Sequence, residues 1–173
     1  MAFLRAIFIW LILALPASAQ QDSPPVLIID SERLFIETLY GQRLASELAA
    51  QAEELQAEND RIVEALTLEE RSLTVRRPDM DPEAFRAEAE AFDNKVQEVR
   101  RVRDAKNVEL QVATAEARSR FEQRVQGIVA NIMLERGAAL VMEQRNVVLS
   151  VRAANITDDA IVRIDAELGE GTE

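Results

Sequence analysis

The side chains able to do chemistry in this sequence are almost all carboxylates and guanidinium groups, because its 173 residues include no cysteine and no histidine. Without them the usual nucleophile–base pairs and the thiolate or imidazole metal sets cannot be assembled. Carboxylate pairs are plentiful, but Glu53-Glu54 and Glu69-Glu70 fall on the surface of a helical segment with no pocket to share. No G-x-x-x-x-G-K cradle is present, so nothing points to ATP-driven work. Thr67-x-x-Glu70 has capping-box spacing but sits mid-helix, and the sequon Asn155-Ile156-Thr157 reads as a helix start capped by Thr157. The expectation is a protein that is not an enzyme, with no catalytic residue, metal or cofactor.

The elements that carry these residues begin with an export leader. Met1 to Arg5 is a short basic start, residues 6–15 are apolar, and Pro16-Ala17-Ser18-Ala19 supplies small residues for cleavage after Ala19. The apolar run is shorter than the roughly 20 residues a membrane span requires. Residues 1–19 therefore read as a signal peptide and 20–173 as a single domain, exported and without a transmembrane segment. Losing Arg5 takes the net charge from −11 to −12, and losing Trp10 removes the one tryptophan. The acidic balance argues against nucleic acid, which needs clustered, uncompensated Lys and Arg. At 5% aromatic and 29% charged residues, the composition fits a rod with a modest core.

Val26-Leu27-Ile28-Ile29 reads as a buried strand, and Asp30 and Ser31 as the start of a short helix that Gly41 interrupts as a kink or flex point. Residues 42–76 contain no Pro or Gly. Their apolar positions, Ala45, Leu48, Ala52, Leu55, Ile62, Leu66 and Leu73, step by threes and fours, with Asn59 on the same seam. Asp81-Pro82-Glu83 starts a second helix, whose seam runs from Phe85 through Arg103 and Lys106 to Ile132. Two successive steps of four near Phe121 mark a stutter. The two helices should pack antiparallel as a coiled-coil hairpin over 42–136. The body, residues 26–41 and 137–168, gains a β-hairpin from Leu140-Val141-Met142 and Val147-Val148-Leu149-Ser150-Val151, then a final helix with Ile161, Ile164 and Leu168 inward. The tail from Gly169 should fray. So small a sheet leaves its edges exposed, and pairing with identical chains would bury them.

The order of these elements, V-L-I-I-D-S-E-R-L-F at 26–35, a Gly at 41, a long charged hairpin and N-I-T-D-D-A-I-V-R-I-D at 155–165, resembles the Skp/OmpH family of periplasmic chaperones. The resemblance implies a mainly α fold with a small β body. A long antiparallel coiled-coil tentacle stands on an intermolecular, β-barrel-like oligomerisation body, and three chains form a homotrimer. It further implies an ATP-independent periplasmic holdase that encloses unfolded outer-membrane β-barrel proteins before insertion. A structural or adaptor coiled-coil protein of the cell envelope is the alternative. The acidic charge argues against lipopolysaccharide or anionic membrane as a partner. Two sets of arm residues have two readings each. Val63, Leu68, Val75, Met80, Val102, Val108 and Val112 lie off the seams, as scattered surface residues or as client contacts. Arg100, Arg101, Arg103 and Lys106 either bridge to Glu53, Glu54, Glu58, Asn59 and Asp60 across the hairpin or line a cavity with positive charge.

Overall fold

The computed structural model describes residues 25–171, and the expected leader and its cleavage point lie outside them. Strand β1, Val26–Ile29, buries three of its four residues and ends at Asp30. The Asp30 carboxylate accepts the Arg33 N–H at 3.1 Å, opening helix α1, Ser31–Glu37.

The chain then breaks at Thr38, three residues before the Gly41 that the sequence singled out. Thr38 is extended (φ −77°, ψ 150°) and fully buried. Its hydroxyl donates to the Leu34 carbonyl at 2.7 Å and accepts the Gly41 N–H at 3.2 Å, so one side chain closes α1 and opens α2, Leu39–Arg76. The Asp165 carboxylate accepts the Leu39 N–H at 2.8 Å. Gly41 lies inside the first turn of α2, where a β-carbon would run into the Phe35 carbonyl. It is a close-packing glycine rather than a flex point.

Helix α2 has 38 residues and α3, Pro82–Glu135, has 54, or about 57 and 81 Å of rod. Arg77–Asp79 form a tight turn between them, and Asp81 caps α3 by accepting the Glu83 and Ala84 N–H groups at 3.0 and 3.2 Å. The seams follow their spacing except at Ala52, which is exposed. Leu48, Leu55, Ile62, Leu66 and every seam position from Phe85 to Ala113 are half-buried, while Asn59 and Leu73 are buried. From Ala117 onward the stripe of α3 becomes fully buried, because it leaves the two-helix arm and enters the body. There Phe121 packs against Phe35 edge-on (5.2 Å) and Tyr40 (5.6 Å), and Ile132, Ile156, Ala160 and Ile164 complete the core.

The body's sheet differs from expectation. Strand β2, Leu140–Glu143, pairs in parallel with β1, Val26 opposite Leu140 and Ile29 opposite Glu143. Gln144–Asn146 form a tight turn, and residues 147–151 form no strand, so there is no β-hairpin here. On its other side β1 makes only a bridge from Ile28 to Asn155. Helix α4, Thr157–Leu168, has Ile156 at its N-cap with no side-chain cap, and the preceding Asn155 side chain accepts the Thr157 N–H at 2.9 Å. Thr157 instead accepts the Asp30 N–H at 3.0 Å, joining the starts of α1 and α4. The tail is also held further than expected: Arg43 donates to the Glu170 and Gly171 carbonyls at 2.5 and 3.4 Å.

Ion pairs clamp these helices together at the surface. The Arg118 guanidinium, bonded to Glu32 at 2.7 and 3.1 Å, holds that carboxyl below the usual glutamate range. Arg33 does the same to Glu37, and Arg163 to Glu135. A carboxyl held low in the folded state contributes stability above its unfolded pKa and loses it as pH falls through the folded value. The groups are exposed, so each contribution is small. The sequence has no histidine or cysteine, so thermal melts should be nearly flat between about pH 6 and 8 and decline below about pH 4.5. A step near neutrality would contradict this account.

A second test uses two glycines. Gly41→Ala should lower the melting temperature by about 3–10 °C, the effect of overpacking against backbone. Gly127→Ala, in open space within α3, should raise it by roughly 1–4 °C by removing a helix-weakening residue.

Candidate functional site

The fold leaves two surfaces unfinished, the flanks of the arm formed by α2 and α3 and the open edge of the body. On the arm, a single stripe per helix is covered, and whatever lies off it faces solvent. Val63, Leu68, Val75, Val102, Val108 and Val112 are 37–75% exposed, while Met80 is half-buried at the turn beside Arg76. These seven do not converge. At about 100° per residue, Leu68 and Val75 share a face of α2 and Val108 and Val112 share one of α3, with Val63 and Val102 turned away from each.

The basic group is likewise divided. Lys106 crosses to Glu58 on α2 at 2.5 Å, but Arg101 pairs along its own helix with Glu98 (2.6 Å), holding that carboxyl low. Arg103 is half-buried on the seam, with its Nε enclosed and without a hydrogen-bond partner among the described residues. Arg100 is exposed. Of the anticipated partners on α2, only Glu58 forms an ion pair with this group, and the four cations do not share one site.

Beside Lys106 a groove lies between α2 and α3. One section, of about 360 Å³, has Leu55, Leu110 and Ala113 at its floor and Gln51, Glu54, Glu58 and Glu109 along its walls. It continues past Lys106 toward Ile62, Ala65 and Arg61. Sequence spacing placed the floor residues on the seam but gave no sign that the flank above them opens.

In the body a cavity of about 520 Å³ lies between α1, α3 and the turn after β2, with Phe35, Phe121 and Val147 among its lining. The Glu143 carboxylate at its edge accepts both the N–H and the hydroxyl of Ser31, at 3.1 and 2.7 Å, and so ties the end of β2 to the start of α1. Arg118 lies over the Phe35 ring at 4.6 Å while pairing with Glu32. Contacts such as these join residues 86 to 112 positions apart, so no local motif announces them. Past Val147 the chain leaves the surface: Val148 is 95% and Leu149 91% exposed.

Among the described residues, no cluster of His, Cys, Asp and Glu is arranged to hold a metal ion, and no helix is long and apolar enough to cross a membrane. Comparison with known proteins gives a consistent picture. The family described as outer membrane protein (OmpH-like) matches residues 25–164. A solved structure from Caulobacter crescentus CB15, described as a candidate OmpH-like outer membrane chaperone, superposes with a TM-score of 0.77. It is 22% identical, over 83% of this chain and 85% of that one, and shares the fold. No curated protein matches the sequence. With the family's match running from the start of the body, along the whole arm and into α4, this chain belongs to the OmpH-like family.

Proposed function

We propose that this protein is a periplasmic, ATP-independent holding chaperone, a homotrimer whose arms enclose unfolded outer-membrane β-barrel proteins. Family membership supports a chaperone role, and the OmpH-like fold supplies a body from which a long arm projects. The observation that carries the reading is the unfinished body. Among the described residues strand β2 has a free edge, and Val148, Leu149 and Val151 stand 95%, 91% and 71% exposed just beyond it. A two-stranded sheet beside an uncovered apolar segment is not a stable end point in water. Pairing between copies would complete the sheet and bring several arms around one space. Within that space, each exposed arm valine offers a weak contact. Burying one such side chain fully contributes about 1.5–3 kcal/mol, and transient contact much less. Retention would come from many contacts at high effective concentration, and release from a partner that binds the client better.

Two measurements test this. Dilution of a denatured β-barrel protein into buffer should scatter less light when the mature protein is present. The client's tryptophan emission can be followed without background, because Trp10 lies in the expected leader. In the same assay Leu149→Asp with Val151→Asp should give single chains by solution mass and lose the protection while keeping helical circular dichroism. A wild-type protein that leaves aggregation unchanged would fit an adaptor coiled coil instead. Along the arm, Val63→Ser, Val102→Ser, Val108→Ser and Val112→Ser should weaken retention in small additive steps. Abrupt loss at any single position would mean a discrete pocket rather than a diffuse surface.

A further inference from the structure

We propose that the interhelical groove beside Lys106 takes lysine or arginine side chains of unfolded client segments, so that this arm selects clients rich in positive charge. The inference rests on the holding function above and adds the chemistry of what is held. The groove has an apolar floor, Leu55 and Leu110, both half-buried. Three carboxylates, Glu54, Glu58 and Glu109, stand along its walls. Lys106 is committed to Glu58 at 2.5 Å. Arg61, in the adjoining section beside Glu54 and Glu58, gives its Nε–H to the Ala57 carbonyl at 3.2 Å and forms no ion pair among the described residues. Glu54 and Glu109 are exposed and form no ion pair among the described residues.

A long aliphatic stem ending in a positive charge is the side chain that fits such a place. Its methylenes cover the floor while its head stays at the wetted rim between the carboxylates. Lys106 already demonstrates the pairing from within. A neutral apolar side chain would cover the floor but leave the carboxylates unanswered, and an acidic one would be repelled. The net charge of −11 works in the same direction at longer range, drawing cationic segments toward the arm and keeping anionic ones away.

The test uses the full mature chain and two unstructured peptides of one length, one carrying lysines at intervals and the other glutamines at the same places. Wild-type protein should bind the lysine peptide more tightly. That preference should fade as the Debye length shrinks from about 30 Å at 0.01 M salt to about 3 Å at 1 M. Glu54→Gln with Glu109→Gln should weaken lysine-peptide binding by roughly three- to tenfold, the range expected for two exposed ion pairs, and leave glutamine-peptide binding and the melting temperature unchanged. Equal binding of the two peptides by wild type, or an unaltered lysine affinity in the variant, would overturn the proposal. If aggregation of the denatured β-barrel is still suppressed in that case, the groove alone falls. If suppression also fails, the holding function falls with it.

Discussion

Two helices zipped along one stripe can bury only that stripe, and this limit governs the whole molecule. The seam of α2 and α3 is half-buried for most of its length, whereas Phe121, Ile132, Ile156 and Ile164 in the body are at most 2% exposed. Hydrophobic stabilisation scales with the apolar area covered, so a fully buried side chain contributes more than one left partly open. Cohesion is therefore greatest at the root of the arm and smaller along the two-helix seam, where Asn59 and Leu73 are the buried positions. The junction reflects this. Thr38 satisfies two backbone groups, Asp165 and Gln42 hold the carbonyls and N–H groups around it, and Gly41 admits the Phe35 carbonyl against α2. The arm is anchored rigidly where it leaves the body and is lightly held beyond.

That division also explains what could be read from the residues alone. The seams were legible, down to Asn59, Arg103 and Lys106, because heptad-like spacing is a local property of one helix against one partner. The caps at Asp30 and Asp81 were legible for the same reason, each acting within three residues. What could not be read depends on distant segments. Residues 147–151 have every local mark of a strand, yet β2 takes β1 as its neighbour in parallel, a pairing across more than a hundred residues. Thr157 has the side chain of a cap, but Asn155 lies where its oxygen reaches the first N–H and frees Thr157 to hold Asp30. Gly41 reads locally as a breaker because glycine usually weakens helices, whereas its use here is to lack a β-carbon. Of the candidate arm residues, spacing correctly placed the valines outside the seam, but it could not say which would share a face or that the flank above Leu55 and Leu110 opens into a groove.

The seam's polar layer departs from the rest. Asn59 is 8% exposed, and Arg103 encloses its Nε without a partner among the described residues. An enclosed, unpaired donor costs free energy that a leucine in its place would not. Polar groups on a coiled-coil seam lower stability and raise discrimination between alternative alignments. With apolar residues spaced so evenly on both helices, alignment is what hydrophobic packing alone would leave least defined.

The interhelical ion pairs address the same problem from the flank. Arg76 meets Glu88, Glu69 meets Lys95 and Glu58 meets Lys106, and in each pair the two residue numbers add to the same total. One register therefore runs from the tip to mid-arm. Slide α3 by one heptad in one direction and Glu69 comes opposite Glu88; slide it in the other and Arg76 comes opposite Lys95. In neither slipped arrangement does Lys106 find a carboxylate, since it would face Gln51 or Ala65. Each exposed pair contributes little on its own. Their value lies in the difference between the correct alignment and its nearest competitors, where attraction is exchanged for repulsion. A thin seam can thus specify one hairpin without a large core, which is the condition for a long arm that keeps most of its surface free.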